Sequence, residues 1–181
     1  AANQNSTVGG GGGNNATGFD SAVAGGEADN ATGDNSFVGG GYFNFASAFA
    51  TTVAGGYFNN ASGYYATIGG GYQNQAGGGF FPGGATVAGG SVNHAASDAT
   101  TVAGGYGNTA SGAGASIGGG GFDGSSLSGN LASGAASTIA GGLGNKATNS
   151  YATVGGGQGN SAGAYGTTVG GGNANTATGN Q

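Results

Sequence analysis

The amino-acid sequence predicts an all-β fold, a Gly-rich parallel β-solenoid of about eleven coils with 15 residues each. In every unit a Val or Ile stands just before a glycine pair, and an Asn and then an Ala follow, six and eight residues on in most units. This phrase returns at a fixed short period, which is typical of a repeat architecture. No stretch carries an apolar stripe at helical period, so no helix is predicted. The aliphatic positions are Val8, Val23, Val38, Val53, Ile68, Val87, Val102, Ile117, Ile139, Val154 and Val169.

Each unit contains two short candidate strands separated by Gly-rich turns. The first is illustrated by Thr-Thr-Val-Ala at residues 51–54, and the second by Asn-Asn-Ala-Ser at residues 59–62. Thr and Val favour strands, whereas Gly-Gly and Ser-Gly punctuate them. Coils stacked ~4.8 Å apart would make a rod roughly 50 Å long.

The predicted interior is thin, because one coil would bury one Val or Ile, one Ala and several Gly. Burying a Val contributes only ~1.5–3 kcal/mol, whereas ordering each residue costs ~1 kcal/mol or more. Packing several chains along a shared apolar face would offset this deficit. The sequence therefore predicts an oligomer or a filament.

A row of Asn residues is the second regularity. Stacked Asn side chains can hydrogen-bond along a solenoid and tolerate the left-handed geometry of a turn, so a structural ladder is predicted in preference to a ligand site. Asp29 stands in the one unit that lacks the Asn. The predicted ladder comprises Asn14, Asn44, Asn59, Asn74, Asn93, Asn108, Asn130, Asn145, Asn160 and Asn175.

Two loop insertions interrupt a single repeat domain that spans residues 1–181. They lie around residues 77–84 and 121–129, where the period lengthens to 19 and 22 residues. Insertions in repeat proteins often mark the binding face, so Phe80, Phe81 and Pro82 form a candidate binding surface. A loop that folds over a neighbouring chain is the equal alternative. Because the sequence begins and ends within a unit, we expect it to be a piece of a longer chain, or a chain whose ends are covered by neighbours.

Aromatic residues form a looser row at the turn after the glycine pair. Tyr42, Tyr57, Tyr72 and Tyr106 occupy this position. Exposed aromatic rows can bind glycans or apolar surfaces, whereas stacked rings stabilise adjacent coils or seal contacts between chains. The stacking and interface role is the favoured interpretation.

Charge and composition argue against several functions. The net charge is −5, and Lys146 is the only basic side chain, so neither nucleic acid nor an anionic membrane surface is an expected partner. No apolar run approaches the ~20 residues that cross a bilayer. His94 is the only His and is expected at a solvent-facing turn, and the acids do not repeat in register. We therefore predict no catalytic residue, no cofactor and no metal site.

Thr precedes the aliphatic residue in eight units. If Val points inward, these Thr side chains point outward. A regular outward Thr row resembles that of ice-binding solenoids, which supplies an alternative function, although Ala22, Phe37 and Ser116 interrupt it. The eight residues are Thr7, Thr52, Thr67, Thr86, Thr101, Thr138, Thr153 and Thr168.

The phrase A-T-V-G-G-G-Q-G-N-S-A-G at residues 152–163, with a close variant at 66–77, resembles the head repeats of trimeric autotransporter adhesins. It is most similar to the Gly-rich variant of YadA-like heads and related tail-fibre-like surface proteins. The resemblance implies a left-handed β-roll in each chain, a homotrimer, and adhesion outside the cell to matrix proteins, other cells, glycans or surfaces. The unit here is one residue longer than the common head repeat, and no neck, stalk or membrane anchor is seen.

The sequence thus predicts a structural and adhesive repeat domain of an extracellular surface fibre, without catalysis. A subunit of a cohesive extracellular filament is a close variant, and ice binding through the Thr row is the alternative from another class.

Overall fold

The computed structural model describes residues 4–79 and 83–179. Within these ranges the chain forms a parallel β-solenoid of eleven coils, each of which gives one strand to each of two sheets. All 22 strands are two residues long, and none of the described residues is helical. The predicted β-solenoid, with its two short strands per unit, is confirmed.

The odd-numbered strands form the first sheet, in chain order. They are β1 (Thr7–Val8), β3 (Ala22–Val23), β5 (Phe37–Val38), β7 (Thr52–Val53), β9 (Thr67–Ile68), β11 (Thr86–Val87), β13 (Thr101–Val102), β15 (Ser116–Ile117), β17 (Thr138–Ile139), β19 (Thr153–Val154) and β21 (Thr168–Val169).

The even-numbered strands form the second sheet, also in chain order. They are β2 (Asn15–Ala16), β4 (Asn30–Ala31), β6 (Phe45–Ala46), β8 (Asn60–Ala61), β10 (Gln75–Ala76), β12 (His94–Ala95), β14 (Thr109–Ala110), β16 (Leu131–Ala132), β18 (Lys146–Ala147), β20 (Ser161–Ala162) and β22 (Thr176–Ala177).

The register follows the sequence period without a slip. Ile68 pairs with Val87 and Ile117 with Ile139, so both insertions leave the sheets intact. In each strand the first side chain faces outward and the second faces the interior, as the two-residue alternation of a strand requires. A third line of parallel bridges runs along the turn after the glycine pair, for example from Tyr42 through Tyr57 to Tyr72.

The core is a narrow column, and Ile is its largest fully buried side chain among the described residues. Val or Ile from the first sheet faces Ala from the second, as predicted. A third buried row, which the sequence interpretation missed, lies two residues before each Val or Ile and holds only Ser, Thr or Ala. Several of its hydroxyls bond back to their own turn, as Thr51 Oγ1 does to the Ala48 carbonyl at 2.9 Å, whereas the buried hydroxyls of Ser36 and Ser137 have no hydrogen-bond partner.

The second insertion is a small hairpin that interrupts the turn after the glycine pair, at the third line of bridges. The Gly121 N–H donates to the next coil at Gly142 (2.8 Å), and the Ser128 carbonyl accepts from Gly144 (2.8 Å). The Ser128 N–H closes the hairpin onto the Gly121 carbonyl at 2.9 Å. Seven residues therefore loop out while the hydrogen bonds between coils continue around them.

The first insertion leaves the solenoid at a different turn. The Gly84 N–H donates to the Tyr64 carbonyl (2.8 Å), on the turn that precedes the first sheet. The two insertions therefore interrupt different turns of the coil. Phe80, Phe81 and Pro82, the candidate binding surface in this insertion, lie outside the described residues.

Candidate functional site

The Asn row forms a continuous hydrogen-bonded ladder inside the solenoid. Asn59 Nδ2 donates to the carbonyls of Gly55 and Gly71, both at 3.0 Å, and Asn59 Oδ1 accepts the backbone N–H of Asn74 at 3.0 Å. One side chain thus makes one bond within its own coil and two bonds to the next coil. The ladder residues from Asn44 to Asn160 are buried, whereas Asn14 is half-buried and Asn175 is exposed. Its buried members face the interior, where an external ligand does not reach them.

A glycine makes room for each rung of the ladder. Gly56 has φ +97°, and a Cβ atom there would lie 2.3 Å from the Gly71 carbonyl oxygen and 2.5 Å from Asn59 Nδ2. Both distances are shorter than any ordinary contact with a Cβ atom. The glycine that recurs three residues after Val or Ile therefore serves the ladder as well as the turn.

Asp29 occupies the ladder position in the second coil. Its Oδ1 atom accepts hydrogen bonds from the Asn44 backbone N–H at 2.8 Å and from Asn44 Nδ2 at 3.0 Å. Its Oδ2 atom is buried and receives no hydrogen bond. In the other coils an amide group stands here and donates to glycine carbonyls, which a carboxylate cannot do.

The predicted Tyr row is a ring stack over three coils. The Tyr42 and Tyr57 ring centroids are 5.1 Å apart, and those of Tyr57 and Tyr72 are 5.6 Å apart, with interplanar angles of 15° and 14°. Phe43 and Phe58 form a second column beside it, stacked at 5.1 Å and 7°. Both faces of the Tyr57 ring are therefore covered by its neighbours, so this ring presents its edge to the solvent.

Tyr106 occupies the same turn position but stands apart from this stack. The bridges run from Tyr72 to Ser91 and from Ser91 to Tyr106, so one coil without a ring separates the two tyrosines. The four tyrosines proposed as a binding surface are therefore a group of three and a single residue.

A second aromatic group lies at the turn that precedes the first sheet. Phe49 stacks with Tyr64 at 6.2 Å and makes an edge contact with Tyr65 at 5.6 Å. Further along the rod, Tyr151 and Tyr165 meet edge to face at 5.3 Å. Rings thus bridge adjacent coils at both turns.

The Thr row lies on the outer face of the first sheet. Thr67, Thr101, Thr138 and Thr168 are exposed and the intervening hydroxyl residues are half-buried. Hydroxyl side chains continue without a break over eight coils, because Ser116 replaces Thr only in β15. The residues two positions on, after Val or Ile, are Ala or Gly throughout. Phe37, 40% exposed, interrupts the row near one end.

The hairpin in the second insertion carries the most exposed pair of large apolar side chains on facing strand positions. Phe122 and Leu127 form an antiparallel bridge and are 55% and 59% exposed. Asp123 stabilises the turn, because its Oδ1 atom accepts the N–H groups of Ser126 at 2.7 Å and Ser125 at 2.9 Å. These two bonds, that of Ser126 first, lower the pKa of the Asp123 carboxyl below its ordinary value of 3.8.

The single His does not lie at a turn as predicted. His94 is half-buried in β12, between Gln75 and Thr109 in the outward row of the second sheet. The variable position between the Asn and the Ala is the first residue of each strand in the second sheet, and it also falls within the candidate strand at residues 59–62, so His94 follows the repeat. In residues 4–79 and 83–179, no three His, Cys, Asp or Glu side chains lie close enough together to hold a metal ion.

The described part of the chain also contains no helix that is long and apolar enough to cross a membrane. The chain matches no family model and no curated protein.

Proposed function

We propose that the chain is a structural and adhesive repeat domain of an extracellular surface fibre, without catalytic activity. The observation that carries this proposal is the continuity of both sheets through all eleven coils and across both insertions. Such a rod keeps rows of identical side chains in line along its length, which suits a fibre shaft that presents a repeated surface. The resemblance of its repeat to those of trimeric adhesin heads points in the same direction.

The proposal includes assembly with copies of the same chain, as a homotrimer or as neighbours in a filament. The narrow core leaves each coil with little apolar area of its own. The first sheet offers an outer face of Thr, Ser, Ala and Gly, with Phe37 near one end. The second sheet instead exposes Lys146 and several amides. We therefore place the contact between chains on the first sheet, where small uncharged side chains allow close approach.

The first experiment measures the mass of residues 1–181 by sedimentation, with circular dichroism alongside. A β-rich particle of three chains is expected. Thr101→Arg, on the outer face of the first sheet, should reduce the mass to one chain. Thr109→Arg is the matched control, since Thr109 lies in the same coil on the second sheet. A folded, β-rich monomer of the unchanged chain would contradict the proposal.

The adhesive part is tested separately. Beads coated with the chain should attach to matrix-coated or cell surfaces more than beads coated with an unrelated acidic protein. Replacing Tyr42, Tyr57 and Tyr72 by Ser should weaken attachment if the Tyr stack contributes to the contact surface. Equal attachment of the beads coated with the chain and of those coated with the unrelated protein would mean that the chain is a purely structural shaft.

Ice binding is the second candidate, and one observation favours it: the hydroxyl row of the first sheet is on the outer surface and unbroken from Thr52 to Thr168. This use requires a free face and therefore a monomer. If the chain is monomeric, it should shape growing ice crystals, and Thr101→Arg should abolish the effect while Thr109→Arg preserves it. Hexagonal shaping that survives Thr101→Arg would argue against the Thr face.

A further inference from the structure

The Tyr ladder lacks one ring, and the position of the gap is defined by the backbone. Tyr72, Ser91 and Tyr106 occupy consecutive places in the third line of bridges. The Tyr72 N–H donates to Gly90 and the Ser91 N–H to Gly105, both at 2.9 Å, so the backbone is continuous there. Only the side chain is missing from the row.

The size of the gap follows from the stack itself. One coil step separates stacked tyrosines by 5.1 and 5.6 Å. Tyr72 and Tyr106 are two steps apart, about 10 Å at ~4.8 Å per coil. One planar ring placed over Ser91 would therefore lie at the spacing that the existing rings already adopt. Such a ring would restore the missing rung.

The side chains around the gap indicate which kind of ligand would fit it. Val92, 41% exposed, stands beside Ser91, and Gly107 beside Tyr106 adds no side chain. The polar side-chain groups at these positions are the Ser91 hydroxyl, the two tyrosine hydroxyls and the Gln73 amide beside Tyr72, and only the Ser91 hydroxyl belongs to the coil between the two tyrosines. Sites for sugars need several convergent polar groups, whereas a flat aromatic ring needs ring faces and little else.

We propose that the gap between Tyr72 and Tyr106 is a binding slot for one planar aromatic ring, about the size of a phenol. The ring stacks between the two tyrosines above Ser91, next to Val92. This inference is independent of the adhesive role, since it concerns local stacking and holds for a monomer or a fibre that leaves this turn exposed.

The probe is p-cresol, titrated into the full 181-residue chain and followed by the backbone amide shifts of the protein. We expect saturable shifts at Ser91, Tyr72 and Tyr106 in the millimolar range, because only two ring faces contribute. Ser91→Tyr fills the slot and should weaken binding at least about tenfold. Gln158→Tyr is the matched control, because Gln158 has the same turn position in a distant coil and should leave binding unchanged.

Tyr106→Ala supplies a second variant in case Ser91→Tyr disturbs folding. It removes one wall and should weaken p-cresol binding about fivefold. Circular dichroism confirms that each variant retains its β-structure. Shifts that are absent at Ser91, or that persist unchanged in both slot variants, would overturn the proposal. Binding of methyl β-glucoside to the slot in place of p-cresol would overturn the assignment to aromatic rings.

Discussion

Asp29 precedes Asn44 by one coil, and its Oδ1 atom receives both the backbone N–H and the side-chain amide of Asn44. The other carboxylate oxygen is buried without a donor, at the point where an amide would donate to glycine carbonyls. The ladder therefore continues through Asp29, whose N–H also donates to Asn14 Oδ1 at 2.9 Å, but the bonds that an amide would donate to glycine carbonyls are missing there.

Asp29→Asn should stabilise the protein by about 1–3 kcal/mol, because the new amide group donates to glycine carbonyls as in the other coils and removes an unpaired buried oxygen. The free energy of unfolding in denaturant is the measurement. Glu27→Gln is the control, since it removes the same charge from an exposed site in the same coil. A gain of equal size in both variants would mean that net charge, and not the ladder, is responsible.

Asn59→Ala should destabilise the protein by about 3 kcal/mol or more, because it leaves the Gly55 carbonyl and the Asn74 N–H without a partner and removes one of the two donors to the Gly71 carbonyl. Asn60→Ala changes the same residue type at the next position, where the side chain is exposed. We expect the control to lie within about 0.5 kcal/mol of the parent. Comparable losses from both variants would show that the ladder bonds contribute little.

Most of the fold could be predicted from the 15-residue period, because a residue that recurs at one place in every coil must make the same contacts each time. Val53 and Ala61 as core residues and Asn59 as a ladder residue were predictable for that reason. The buried position two residues before Val was also readable, since only Ser, Thr or Ala occupies it. The Phe122–Leu127 hairpin was not predictable in this way, because it occurs once and has no periodic counterpart to define it.

Gly56→Ala should be severely destabilising, because the new Cβ atom would overlap the carbonyl of the next coil and the alanine backbone would have to adopt a positive φ. We expect a loss of more than about 3 kcal/mol, from strain and from displacement of Asn59. At Gly55 a Cβ atom would meet its nearest atom, the Gly40 carbonyl oxygen, at 3.5 Å, an ordinary contact. Thermal unfolding of Gly55→Ala should therefore stay close to that of the parent, and a matching loss there would contradict the steric account.

Tyr57→Ala removes a ring that is stacked on both sides and should cost about 1–3 kcal/mol, from two ring contacts of about 0.5–1.5 kcal/mol each. Tyr106 has no stacked tyrosine on the adjacent coil before it, so Tyr106→Ala should reduce the free energy of unfolding by less. Denaturant unfolding of the two variants measures the difference. A larger loss at Tyr106 would show that the stack is not what stabilises this turn.

The hairpin at residues 121–129 should loosen at acid pH. Its two backbone N–H bonds favour the charged form of Asp123 and lower the pKa of this carboxyl in the folded hairpin. A depressed pKa contributes stability that is fully present above the ordinary value of 3.8 and is lost as the pH falls through the lower, folded value. Amide shifts and hydrogen exchange of Ser125 and Ser126 should therefore change below about pH 3.8, while those of strand residues such as Val102 stay constant. Asp123→Asn keeps an acceptor oxygen but does not titrate, so its hairpin should show no such transition; a transition of the same size in that variant would assign the effect to another group.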